Sequence, residues 1–156
     1  MQTHTSKQTA LNQMPAVAKR IAPLIDQNTV LLDYGSGYST KFKSFVESMG
    51  GTYYGYDPHW HDFDTNAKAL SCEPTIIVCA NVLNVIMEDS VIETIACLLS
   101  KYGAPVYVQI YEGNRSGVGA QTSRGYQRNQ KASEYQPLLE RYFAKVTRAG
   151  NVFHCQ

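Results

Sequence analysis

The chain has 156 residues, 44% of them apolar, enough for one sizeable core and one domain. No run approaches the roughly 18 to 20 uncharged apolar residues of a membrane span, and the opening "MQTHTSKQTALNQMPAVAKR" is polar where a secretory leader would be apolar, so the expectation is a soluble cytoplasmic protein. The net charge of +1 is partitioned: residues 1–20 carry +3, residues 21–112 carry −7 and residues 113–156 carry +5. A basic final third suits a polyanion such as nucleic acid, although solvated helix faces produce the same asymmetry. Cys72, Cys79, Cys97 and Cys155 show no paired spacing and three of them lie in apolar segments, so disulfides are not expected.

Residues 1–28 read as a helical extension, in which Val17, Ile21, Leu24 and Ile25 share one face and Pro23 bends or ends the helix. Residues 29–35, "TVLLDYG", form a short run without polar alternation, the pattern of a strand buried on both faces. In residues 39–50, Phe42, Phe45, Val46 and Met49 make a helical stripe closed by a glycine pair. A second strand spans 51–59 and ends on an acid and a proline, and a polar segment runs to about residue 73. Residues 74–86 supply a third strand, 89–103 a helix capped by Asp89 or Ser90 and stopped by Gly103, and 104–113 a fourth strand. Beyond the glycine-rich loop 113–131, residues 132–143 predict a helix opened by Ser133, and 144–156 a hairpin about Ala149 and Gly150.

Strands alternating with helices predict a three-layer, Rossmann-like α/β domain over 1–156, with a mostly parallel sheet and a possible C-terminal antiparallel hairpin. Only about 17 residues separate the second strand from the third, too few for a crossover plus another strand, so one unit is missing or shortened between residues 58 and 74. In such sheets ligands bind beyond the carboxyl ends of the strands. The polar and glycine residues gather there: Asp33 to Gly37, Asp57 to His59, Asn81 to Asn84, and Tyr111 to Arg115. The G-x-G of Gly35, Ser36 and Gly37 permits close backbone approach, yet the third glycine of a pyrophosphate loop is Thr40. Asp57 follows at the distance where an acid holds ribose hydroxyls, which points to a nucleoside.

"VLLDYGSGYSTKF" followed by "YYGYDPHW" resembles the first two motifs of class I S-adenosylmethionine-dependent methyltransferases. Together with "IIVCANVLNVIMED", it resembles in particular the methyltransferases found with DNA phosphorothioation systems and their short phage relatives. The resemblance covers most of residues 10–112. It implies S-adenosyl-L-methionine as cofactor, with Asp33, Gly35, Ser36 and Gly37 at its methionine end and Asp57 at the ribose; Tyr34, Pro58 and His59 are further cofactor-binding candidates beside them, and Asn81, a polar amide at the end of an apolar strand, is the candidate for the adenine or reaction edge. It supplies no acceptor.

Methyl transfer to a good nucleophile requires alignment and exclusion of water rather than an obligatory base. Where a base is required, His59 is the candidate, with a loop-fixing or ribose-contacting role as its alternative. Asn81 and Glu112 complete the catalytic candidates. The His and Asp residues of "DPHWHDFD" lack a fixed ligand geometry, so no metal is expected. Asn84 suits a cap, and Tyr34 and Trp60 suit stacking on adenine or acceptor, or plain packing. The loop after residue 112 reads as a lid over the acceptor, where Asn114 lies at the strand end and Arg115, Arg124 and Arg128 could fork onto phosphate. Two other activities fit the same residues: cleavage of the cofactor without an acceptor, and a non-catalytic cofactor-binding module with a protein or nucleic-acid partner.

Overall fold

In the computed structural model residues 5–156 are described; the first four residues of the expected N-terminal extension lie outside the described residues. Alternate positions of the central strands feed two cores. Leu31 of β1 (Val30–Tyr34) packs with Val17 and Ile21 of α1 (Val17–Ile21) and with Phe42 and Val46 of α2 (Lys41–Ser48). Its neighbour Leu32 packs on the other face, with Ala69 of α3 (Phe63–Ser71), Leu99 of α4 (Asp89–Ser100) and Leu139 of α5 (Gln136–Leu139). In β3 (Ile76–Ala80) Ile76 and Val78 join the first core while Ile77 and Cys79 join the second. A strand buried on both faces must be apolar throughout, which is why these segments read as continuous runs.

The main sheet has the order β2-β1-β3-β4-β8-β7, where β2 is Thr52–Tyr56, β4 is Val106–Gln109, β7 is Val146–Ala149 and β8 is Val152–Cys155. The first four strands in this order are parallel, and β8 runs antiparallel between β4 and β7. The expected C-terminal hairpin forms and extends the sheet rather than lying apart from it. Between β2 and β3 there is a single helix and no strand, as the short interval requires. Because β2 and β3 flank β1 on opposite sides, the direction of winding reverses at the β1–β3 crevice.

Four local expectations are corrected. The polar segment before residue 73 contains α3, whose N-cap Asp62 accepts from the Thr65 amide at 2.8 Å. The cap of α4 is Glu88; Asp89 lies in the first turn, where its carboxylate meets Arg128. The expected helix at 132–143 divides into a 3-10 turn (Ala132–Tyr135) and α5, because Pro137 lacks an N–H and is accommodated only in a first turn. The loop 113–131 is not irregular throughout: it contains an antiparallel hairpin of β5 (Ala120–Thr122) and β6 (Gly125–Gln127). Among the described residues no helix is long and apolar enough to cross a membrane.

Candidate functional site

The glycine turn after β1 is fastened to the end of β2. The amides of Gly35 and Ser36 both donate to the Tyr56 carbonyl, at 2.8 and 3.0 Å. The Gly37 amide donates to Asp57 Oδ2 at 2.8 Å and the His59 amide to Asp57 Oδ1 at 2.9 Å. Gly35 has φ +84°, and a β-carbon there would collide with the Val82 side chain beyond β3, so the position needs glycine on two grounds. A β-carbon at Gly55 would lie 2.9 Å from Ser36 Oγ, which explains the bare backbone of β2 beneath the loop. Asn66 of α3 pins the backbone of Asp57 from behind, accepting from its amide at 2.9 Å and donating to its carbonyl at 3.1 Å.

Two carboxylates lie beneath this loop, Asp33 at 4% and Asp57 at 7% exposure. Neither is paired with Lys or Arg among the described residues. Burial drives the Asp33 carboxyl up to about 7, the nearby Asp57 charge adds to the rise, and a 2.6 Å hydrogen bond from Tyr53 Oη opposes it. Burial and the same carboxylate push the Tyr53 hydroxyl above its usual range, which keeps it a donor. Asp57 spends one acceptor position of each oxygen on backbone amides, and a carboxylate has further lone pairs for ligand hydroxyls.

Around these groups a cleft of about 1220 Å³ opens at the carboxyl ends of β1 to β4. Asp33, Tyr34, Gly35, Ser36, Gly37, Asp57, Pro58, His59 and Asn81 all line it, as do Asn114 and Arg124 from the long loop. Tyr34 stacks on Tyr56 with ring centroids 4.7 Å apart. Asn81 adopts φ 59°, uncommon for a non-glycine residue, and its Oδ1 accepts from Gln109 Nε2 at 3.2 Å. Gln109 in turn accepts from the Val17 amide at 2.7 Å. Its hold on Oδ1 leaves the Asn81 amide nitrogen as the donor for the cleft.

The roof comes from two segments: the N-terminal segment, which sequence reasoning does not assign to it, and the β5–β6 hairpin of the loop expected to act as a lid. Ser6, Ala10 and Met14 of the N-terminal segment line one side, with Ser6 Oγ 3.3 Å from His59 Nε2. Thr122, Tyr126 and Gln127 of the β5–β6 hairpin line the other. Asn84, 1% exposed, bonds Gln127 Oε1 at 3.2 Å and accepts from the Tyr111 amide at 3.3 Å, so it fastens the hairpin rather than capping a helix. Asn129, with φ 57°, organises the turn before the hairpin, donating to the Val118 carbonyl and accepting from the Asn114 amide. Lone polar residues in a loop carry no periodic signal, so neither partner set is legible in the sequence.

Three expected site residues, Glu112, Arg115 and Arg128, do not line the cleft. The Arg128 guanidinium, whose side chain is 11% exposed, bonds Asp89 and the carbonyls of Ile86 and Met87, which takes it away from any phosphate. Glu112 accepts from the Ala132 amide at 2.7 Å and pairs with Arg115 at 2.7 Å, contacts that hold its carboxyl below the usual range. These contacts tie the long loop to the fold and engage both Glu112 carboxylate oxygens. His61, expected to have no fixed geometry, lies 2.9 Å from Ser36 Oγ and supports the glycine loop. Among the described residues no group of three or more His, Cys, Asp or Glu is placed to hold a metal ion.

No family model matches the chain, and no curated protein matches it. Among solved structures it is similar to an aspartate aminotransferase from Rhodobacter sphaeroides 2.4.1, with TM-score 0.48 and 16% identity over 83% of this chain and 35% of that one. The chain thus spans about a third of the aminotransferase. It is also similar to an RNA methyltransferase from Salinibacter ruber in complex with S-adenosyl-L-homocysteine, with TM-score 0.41 and 17% identity over 73% of this chain and 89% of that one.

Proposed function

We propose that the chain is an S-adenosylmethionine-dependent methyltransferase. The observation that carries this reading is the pair of buried carboxylates, Asp33 and Asp57, under a glycine loop and without a neutralising Lys or Arg among the described residues. Such a pocket favours a ligand with positive charge and ribose hydroxyls, as an amino-acid-linked sulfonium nucleoside has, and disfavours the pyrophosphate of a dinucleotide. In this reading Asp33 and the Gly35 to Gly37 backbone hold the amino-acid end, Asp57 the ribose, and Asn81 an acceptor atom of the base.

When bound, the cofactor supplies a sulfonium methyl group that passes to an acceptor nucleophile as the methyl–sulfur bond breaks, leaving S-adenosylhomocysteine and releasing the acceptor's proton. The chain's contribution is alignment and exclusion of water, consistent with a cleft roofed from both sides. His59, fixed by Asp57 and Ser6, serves chiefly to hold the loop, and it is the nearest candidate to receive a proton.

Calorimetric titration with S-adenosylhomocysteine and with NAD tests the reading. Binding of the first and not the second is expected; failure of S-adenosylhomocysteine to bind refutes it. Tritiated-methyl incorporation, with analysis for methylthioadenosine, then separates transfer from cofactor cleavage.

A further inference from the structure

At the mouth of the cleft lies a second groove of about 650 Å³, which shares Ala10, Leu11, Trp60 and Arg124 with it. Its floor carries two exposed aromatic rings, Tyr38 at 44% and Trp60 at 37% exposure, with centroids 4.9 Å apart and planes tilted by 54°. Trp60 is held in place although it is not buried: its Nε1 donates to the Lys7 carbonyl at 3.1 Å, and Lys7 Nζ lies 4.9 Å from the ring centroid. A fixed, solvent-facing aromatic pair gains little from folding and is suited to stacking against a flat ligand.

The charge around the pair is of one sign. Lys7 stands over Trp60, Lys41 reaches the Asn12 carbonyl at the groove wall, and Arg124 projects from the tip of the β5–β6 hairpin. Among the described residues the Arg124 guanidinium makes no hydrogen bond or ion pair. Among the same residues no acidic side chain lines the groove, and Asp62, the acid closest to Trp60 in sequence, is turned to the Thr65 amide. Aromatic faces bordered by cations match a stacked base with its phosphate. The cleft alone already exceeds the roughly 300 to 1,000 Å³ typical of a small-molecule site, which leaves room for a second molecule.

We propose, building on the methyltransferase reading, that this groove docks the acceptor and that the acceptor is a single-stranded nucleic acid. One base stacks on Tyr38 and Trp60, an adjoining phosphate meets Arg124, and the neighbouring nucleotide enters the roofed cleft. A paired base cannot do so without being extruded from its stack, so single strands are preferred over duplex.

Trp60 is the chain's single tryptophan and lines both groove and cleft, so with the cofactor site held saturated a further change in its emission reports on the groove. The probes are single-stranded DNA and RNA of about 12 nucleotides, dye-labelled for anisotropy, with the matching duplex and heparin as competitors, in saturating S-adenosylhomocysteine and about 50 mM salt. Single strands are expected to bind and quench Trp60, and the duplex to bind several-fold more weakly. Tyr38→Ala is expected to weaken binding roughly tenfold, and Arg124→Ala to lower the salt slope by about 0.7. Both side chains are solvent-facing, and unchanged urea midpoints verify that the variants fold.

The inference is overturned if no single strand binds, if duplex or heparin competes as well as single strand, or if binding leaves Trp60 emission and the Tyr38→Ala affinity unchanged. Calorimetry with S-adenosylhomocysteine on the same protein separates the two levels. Cofactor binding without oligonucleotide binding defeats only the docking site, whereas loss of both defeats the underlying reading.

Discussion

Replacing Asp33 with Asn should stabilise the protein at alkaline pH, which is the opposite of what removal of a hydrogen-bonded side chain ordinarily does. Asp33 is buried and its carboxyl is raised to about 7, against about 3.9 for an unfolded aspartate. Between those values the native state binds a proton that the unfolded state has released, so stability falls as pH rises from about 4 to about 7 and is level above. At about 1.4 kcal/mol per pH unit, the interval of about three units corresponds to a loss of about 4 kcal/mol, an upper bound because the buried charge induces local relaxation. Asn keeps the shape and an oxygen that accepts from Tyr53 Oη, now at 2.6 Å from Asp33 Oδ2, and it carries no charge to be desolvated or repelled by Asp57. Urea unfolding of both proteins at pH 4.5 and pH 8 measures the effect: the Asp33→Asn variant should exceed wild type at the higher pH, and the gap should close at the lower. Equal stability at both values, or a gap that does not change with pH, would refute the account of a destabilised buried carboxylate. The same carboxylate should release protons when a cationic ligand binds, seen as buffer-dependent binding enthalpy.

Asp57→Ala removes the acceptor of the Gly37 and His59 amides as well as the expected ribose contact, so S-adenosylhomocysteine affinity should fall by about 1.5 to 3 kcal/mol in calorimetry. Gly35→Ala should cost about 2 to 4 kcal/mol of stability, and adding Val82→Ala should recover the steric part while the strain of positive φ remains; denaturation of the double-mutant cycle reads this directly. Arg128→Met should destabilise by about 1 to 3 kcal/mol through loss of its bonds to Asp89 and to the Ile86 and Met87 carbonyls and leave oligonucleotide affinity unchanged, as a residue committed to the fold requires. Gln109→Leu should release both Asn81 Oδ1 and the Val17 amide, lowering cofactor affinity several-fold with a smaller loss in the unfolding midpoint.

Much of the architecture is legible from residue pattern. The apolar runs of β1 and β3 announce burial on both faces, the stripe of Phe42, Phe45 and Val46 announces a helix packed on one, and the short interval before β3 announces the missing strand. The glycine loop and both carboxylates can be located because strand ends collect ligand groups in a parallel sheet. The helix α3 escapes pattern reading because its composition is mostly polar and only Ala69 of its residues is buried, which leaves almost no hydrophobic period to detect. The β5–β6 hairpin has three-residue strands with exposed side chains in β5, too short for alternation to register.

The division between what chain order and what folding decided is clearest among the arginines. Composition marks Arg115, Arg124 and Arg128 as equivalent cations of one loop, and sequence spacing alone gives no reason to separate them. Folding assigns Arg115 to Glu112 and Arg128 to Asp89 and two carbonyls, and leaves Arg124 beside Tyr38 and Trp60 at the cleft mouth. Sequence by itself determined the sheet, the glycine turn and the acid at each of the first two strand ends, because these follow from periodicity and local backbone geometry. Only the tertiary structure decided which polar groups spend their hydrogen bonds on the fold and which keep them for a ligand, because that depends on partners dozens of residues away.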